Sequence, residues 1–183
     1  MTGVQTCALP IYWELAGALF TAALGTLLHF AYGWSGGWSA AAAFSAVNES
    51  TWEHMKLLFF PLFLFSVVQL CCLGRTYPNF LAVRGVSALT WVALVPVLFY
   101  TYSGAVGGHV LWADIAVFYL AVLGAFALDF RLLRRGRFTS LWQQLLGLVI
   151  LWGLAFLFVF CTFHPPGLAL WQDPVTLGYG PLR

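Results

Sequence analysis

Five stretches of this chain carry almost no charge, and each approaches or exceeds the roughly 20 residues that a helix needs to cross a bilayer. They run over about 12–32, 46–73, 85–103, 110–130 and 139–163. Charged residues amount to 8% of the sequence and hydrophobic ones to 62%. Soluble domains carry about a quarter charged residues, so a soluble fold could not hide this much apolar surface. The expectation is an all-α integral membrane protein, a bundle of about five transmembrane helices with no soluble domain. Pro61 and Pro96 fall inside the second and third spans, where neighbouring helices can accommodate a proline. A net charge of +2, without a basic stripe interleaved with aromatics, argues against nucleic acid as a partner.

The ends read differently from the middle. The segment MTGVQTCALPI matches the translation of a common sequencing-library adapter, so residues 1–11 are set aside from fold reasoning and Cys7 with them. The tail, 164–183, is rich in proline and glycine and is expected to be a non-helical segment, a candidate lid. Cys71, Cys72 and Cys161 show no CxxC or Cys/His spacing and read as small packing residues.

Lys and Arg in the short loops predict orientation. Arg75 and Arg84 flank one loop, and Arg131, Arg134, Arg135 and Arg137 crowd another, whereas the loops near 33–45 and 104–109 have none. The positive-inside rule then places both arginine loops and the N-terminus in the cytoplasm, and the tail outside. Glu14 is expected to be solvated at the cytoplasmic start of the first span. Asp129 is expected to pair with neighbouring arginines.

On this topology the remaining polar residues gather at the outer ends of the spans: His29, Asn48 to Lys56, Tyr100, Thr101, His109, Asp114 and His164. The segment VNESTWEHMKLLFFPLF concentrates them. At about 100° per residue, Glu49, Ser50, Glu53, His54 and Lys56 fall within an arc of roughly 160°, opposite Trp52, Met55, Leu58 and Phe59. A charge at bilayer depth costs roughly 2.5–3.5 kcal/mol on insertion scales, so this face should turn toward the bundle or a watery cavity.

Three uses of such a face remain open from residue types alone. Glu53 and Lys56 could pair at i,i+3 with Ser45 or Asn48 capping the helix, a structural role. A metal or acid/base site could form instead, with Glu49, Glu53, His54 and Lys56 as catalytic groups. His29, His54 and Asp114 would then be ligands for a divalent ion such as zinc, and Asn48, Ser50, Trp52, Tyr100 and Thr101 would contact substrate. Proton-linked transport is the third use, weakened by the small number of spans, the lack of an inverted repeat and the scarcity of ionisable groups in the inner half.

The motifs LLHFAYGWSG, FSAVNESTWEHMKLLFFPLF, FYTYSGAVG and FHPPGLALWQDPVTLGYG, in this order, resemble a bacterial multi-pass membrane family known as a domain of unknown function. The resemblance implies a helical membrane protein and points to His29, Asn48, Glu49, Ser50, Trp52, Glu53, His54 and Lys56, without supplying an activity. The family favours proline where this chain has Ala46 and an aromatic residue where it has His164, which removes His164 from the core site. The functional expectation is a metal-assisted or acid/base hydrolase or transferase acting on a lipid-linked or small polar substrate. The alternatives are a small proton-linked transporter or a non-enzymatic envelope binding protein.

Overall fold

A computed structural model describes residues 3–181, with side chains from Pro10 onward; Met1 and Thr2, within the adapter-like segment, fall outside it. The elements are α1 (Gly3–Trp34), α2 (Ser39–Phe44), α3 (Thr51–Leu73), α4 (Phe80–Val106), α5 (Leu111–Arg135) and α6 (Leu141–Phe163), followed by a single 3-10 turn, Ala169–Trp171. Five helices, α1 and α3 to α6, are long and apolar enough to cross a membrane. The protein is an all-helical membrane-type bundle.

Local signals set the helix ends. Ser140 and Gln143 form a reciprocal capping box that opens α6. Gly107 and Gly136 close α4 and α5 in the left-handed region, at φ 81° and 59°. Pro61, where a kink is expected, and Pro96 both lie inside helices. The second span differs from its expected limits. Residues 45–50 are not helix, because Asn48 accepts from the Ser50 N–H at 2.9 Å and Ser50, rather than Ser45 or Asn48, is the N-cap of α3.

α3 is the central helix and touches α1, α4, α5 and α6. Its Leu58, Phe59 and Leu62 are almost completely buried, together with Ala121, Val122, Ala125 and Phe158 from α5 and α6. α4 and α6 approach most closely where two glycines meet. A Cβ on Gly147 would stand 2.3 Å from the Leu81 carbonyl oxygen, and one on Gly85 would stand 2.7 Å from the Gly147 Cα. Backbone-to-backbone contact of this kind is how membrane helices pack where apolar burial gives no drive. Gly147→Val is expected to push α6 away and destabilise the bundle by about 1–3 kcal/mol, as overpacking does. Thermal unfolding in detergent checks this, and a variant that melts with the wild type would sink the close-packing account.

α1 and α6 splay apart over Phe60 and Phe63 of α3, which leaves an apolar groove of about 720 Å³ that also reaches Phe44 of α2. Cys71 and Cys72 are exposed rather than packed, and Cys161 is buried; all three are free thiols.

Two polar layers lie at opposite ends of the bundle. One contains the residues of the VNESTWEHMK segment with the tail docked over them. The other contains the exposed Arg75, Arg131, Arg134, Arg135 and Arg137, and here Arg84 departs from expectation. It is a buried residue of α4, not a loop residue, because α4 begins at Phe80.

Candidate metal centre

The polar face of the second span divides into two groups. The first is half-open. Glu49, in the loop before α3, lies with Oε1 3.8 Å from His29 Nε2 of α1 and Oε2 3.5 Å from His54 Nε2 of α3. The two imidazole rings stand 5.3 Å apart. His29, Glu49 and His54 thus offer one donor atom each, all within 4.8 Å of one another. Ligand atoms held about 2.0–2.1 Å from a tetrahedral zinc ion stand about 3.3 Å apart, so side chains separated by up to 4.8 Å would have to draw together by about 1.5 Å to complete the set.

Local structure orients these donors. His54 Nδ1 lies 2.9 Å from the Ser50 carbonyl oxygen, a contact in which the ring N–H donates, and Nε2 turns toward Glu49. The Asn48 turn and the Ser50 cap aim that carbonyl and leave Glu49 protruding. His29 presents Nε2 from the last turns of α1, while its Nδ1 is buried without a hydrogen-bond partner. Nearby, the Tyr102 hydroxyl donates to the Asp114 carboxylate, and Asp114 lies within electrostatic reach of both His54 and Glu49.

The second group is sealed. Glu53 and Lys56 are 2% and 0% exposed, with their charged atoms 2.5 Å apart. Lys56 Nζ also donates to the Ala42 carbonyl oxygen and to Thr162 Oγ1, each at 2.8 Å. Glu53 accepts from the Val47 N–H at 3.1 Å and the Thr162 hydroxyl at 3.0 Å. One ion pair therefore ties α2, the 45–50 loop, α3 and α6 together. The tail closes over this end of the bundle: Trp171 stacks on Trp52 at 4.7 Å, Asn48 Nδ2 donates to the Gly180 carbonyl oxygen at 3.1 Å, and Asp173 organises the turn that follows it.

A model of a family of unknown function, DUF6512, matches residues 4–181. The chain belongs to this family. No curated protein and no solved structure matches the chain.

The expected site residues of this DUF6512 chain sort by what they touch. His29 and His54 come together as expected. The third donor is Glu49, which was expected to be catalytic, whereas Asp114 pairs with Tyr102 outside the set. Glu53 and Lys56, expected to be catalytic, are sealed, because the same loop and α6 contacts that satisfy them also bury them. Asn48 and Ser50 shape the loop. Trp52, expected to contact substrate, is buried and packs between Phe158 and Trp171. Tyr100 borders a cavity of about 130 Å³ with Thr51, His109 and Gln172, and Thr101 is exposed on α4.

Thr162 escaped the sequence reading, and so did the partners of Arg84. Glu14, expected to be solvated, is buried. Its Oε1 lies 3.4 Å from Arg84 Nη2 and accepts from Gln69 Nε2 at 3.1 Å, while Arg84 Nη1 donates to Asp129. The signal was present: polar residues at 14, 69, 84 and 129 all fall at the arginine-rich end of alternating spans, and polar groups inside spans turn toward one another.

Proposed function

We propose that this chain is a metal-dependent membrane enzyme, a hydrolase or transferase that works on a lipid-linked or small polar substrate at one face of the bilayer. The observation that carries the reading is the convergence of His29, Glu49 and His54 from α1, the loop and α3, with their donor atoms within 4.8 Å. Two histidines and one carboxylate, with one position left for water or substrate, are a donor set used by catalytic zinc. A divalent ion held there would acidify its bound water and polarise a bound carbonyl or phosphoryl oxygen. Asp114, held by Tyr102 and within electrostatic reach of His54 and Glu49, would be the carboxylate that accepts a proton on the substrate side.

Transport has less support. Lys56 and Gln69 are 13 residues apart on α3, about 20 Å along a helix, and every residue from Leu57 to Phe65 between them is apolar. α3, the central helix, therefore offers no polar relay between the two layers. The same reading sets the metal end on the outer face of a bacterial plasma membrane, supported by the arginines collected at the opposite end.

Metal content is the test. Protein purified in detergent without chelator is expected to carry close to one equivalent of zinc or another transition metal by mass spectrometry. His54→Ala and Glu49→Gln should each bring it near background. Wild-type protein with no bound transition metal, even after incubation with zinc, would remove the basis of the proposal.

A further inference from the structure

The buried cluster at the arginine-rich end contains two acids and one base. Glu14 of α1 and Asp129 of α5 are 4% and 0% exposed, and Arg84 of α4 is 1% exposed. Gln69 of α3 bridges them: its Oε1 accepts from Arg84 Nη2 at 2.5 Å and its Nε2 donates to Glu14 Oε1. The two acids meet Arg84 unequally. Asp129 receives a direct hydrogen bond from Nη1, whereas Glu14 Oε1 lies 3.4 Å from Nη2, a long contact. Two carboxylate oxygens, Glu14 Oε2 and Asp129 Oδ1, are buried with no hydrogen-bond partner. Ser87 of α4 donates to the Ala125 carbonyl oxygen at 2.8 Å and also lies beside the Asp129 carboxylate. Among the described residues, Arg84 is the one cation in contact with these acids, and α3 contributes only the neutral Gln69.

Two ionised carboxylates beside a single guanidinium would leave one uncompensated negative charge within the bundle. An unpaired buried charge is strongly disfavoured, and more so at membrane depth. We propose that this cluster is a proton-binding site: Asp129 serves as the counter-ion of Arg84, and Glu14 holds one exchangeable proton. The proton enters as a proton from solvent and leaves as one, with no other bond made or broken. Bound, it converts Glu14 Oε2 from an unpaired acceptor into a hydroxyl and leaves Oε1 to accept from Gln69. Released, it would leave α1 bearing a charge against Arg84 and weaken Asp129's claim on the guanidinium. The site is separate from the metal centre, and its test does not depend on the metal.

Infrared spectroscopy reads the proposal directly, since the chain holds only six acidic side chains. At neutral pH the purified protein is expected to show a protonated-carboxyl C=O band that shifts in heavy water. Glu14→Gln, close in shape to the protonated acid, should lose this band while melting near the wild-type temperature. Glu53→Gln should keep it. In Asp129→Asn, Glu14 becomes the only acid left to Arg84, so the band should fall there too, which serves as a second reading should Glu14→Gln fail to fold. Absence of the band in wild-type protein, or its persistence in both Glu14→Gln and Asp129→Asn, would overturn the proposal.

Discussion

Glu53→Ala is expected to cost the fold about 3–5 kcal/mol, the range for removing one partner of a buried ion pair. The Lys56 ammonium loses its counter-charge and the Val47 N–H its acceptor at once, while the Thr162 hydroxyl is left with the Phe158 carbonyl oxygen alone. None can turn to water, since Lys56, Val47 and Thr162 are all buried. The Ala42 carbonyl oxygen still accepts from Lys56 but supplies no charge. Lys56→Met should be similarly harmful, because it strands the Glu53 carboxylate. The Glu53→Leu/Lys56→Met double variant should lose less than the Glu53→Leu and Lys56→Met single losses summed, since apolar pairs of similar volume often replace buried ion pairs well. Thermal or denaturant unfolding in detergent across this cycle measures the coupling. Strict additivity would mean that Glu53 and Lys56 do not act as one unit. Such a result would also reopen Glu53 as a chemical group, the role suggested by its place in the sequence.

Zinc is expected to raise the melting temperature of chelator-treated protein by about 5–10 °C. A ligand at a hundred times its dissociation constant stabilises the folded state by about 2.7 kcal/mol. Each kcal/mol moves the melting temperature of a chain of this size by about 2–4 °C. The stabilisation has a structural route, because the three donors sit on α1, the 45–50 loop and α3, so one ion would staple elements whose loop is otherwise held by Asn48 and Glu53. His29→Ala and His54→Ala should melt at a temperature indifferent to zinc. Asp114→Asn should keep the full shift, since Asp114 lies outside the donor set, yet be inactive once a substrate is known. An equal shift in His29→Ala/His54→Ala protein would relocate the metal, with the exposed Cys71 and Cys72 the next donors to examine.

The bundle was legible because its signal is carried by length and composition. Runs such as LLFFPLFLFSVV have no soluble solution, and a helix is self-sufficient in backbone hydrogen bonds, so neither judgement needed partners. Boundaries were less legible where polar residues could serve as cap, loop or first turn. AVNES was read as helix and is a loop, because Asn48 and Ser50 bond to backbone locally. The third span begins at Phe80 rather than near 85, so the second half of RTYPNFLAVR is the first turn of α4. The candidate site was half legible: alternating spans put His29 and His54 at the same end of the bundle, but the helical arc could not separate Glu49 from Glu53.

What the sequence by itself determined is that this protein lies in a membrane, with five spans and its ionisable groups confined to two ends. Apolar length and charge placement act residue by residue and need no knowledge of neighbours. Only the tertiary structure decided which acid belongs to which partner. Ala42 and Thr162, distant in sequence, close around Lys56 and Glu53 and make them a structural lock. The loop before α3 swings Glu49 toward His29 and His54 instead. Burial at Gln69 and Asp129 turned an expected solvated Glu14 and a loop Arg84 into an internal charge cluster. Pairing within the bundle is a property of helix faces in contact, and no single helix carries that information.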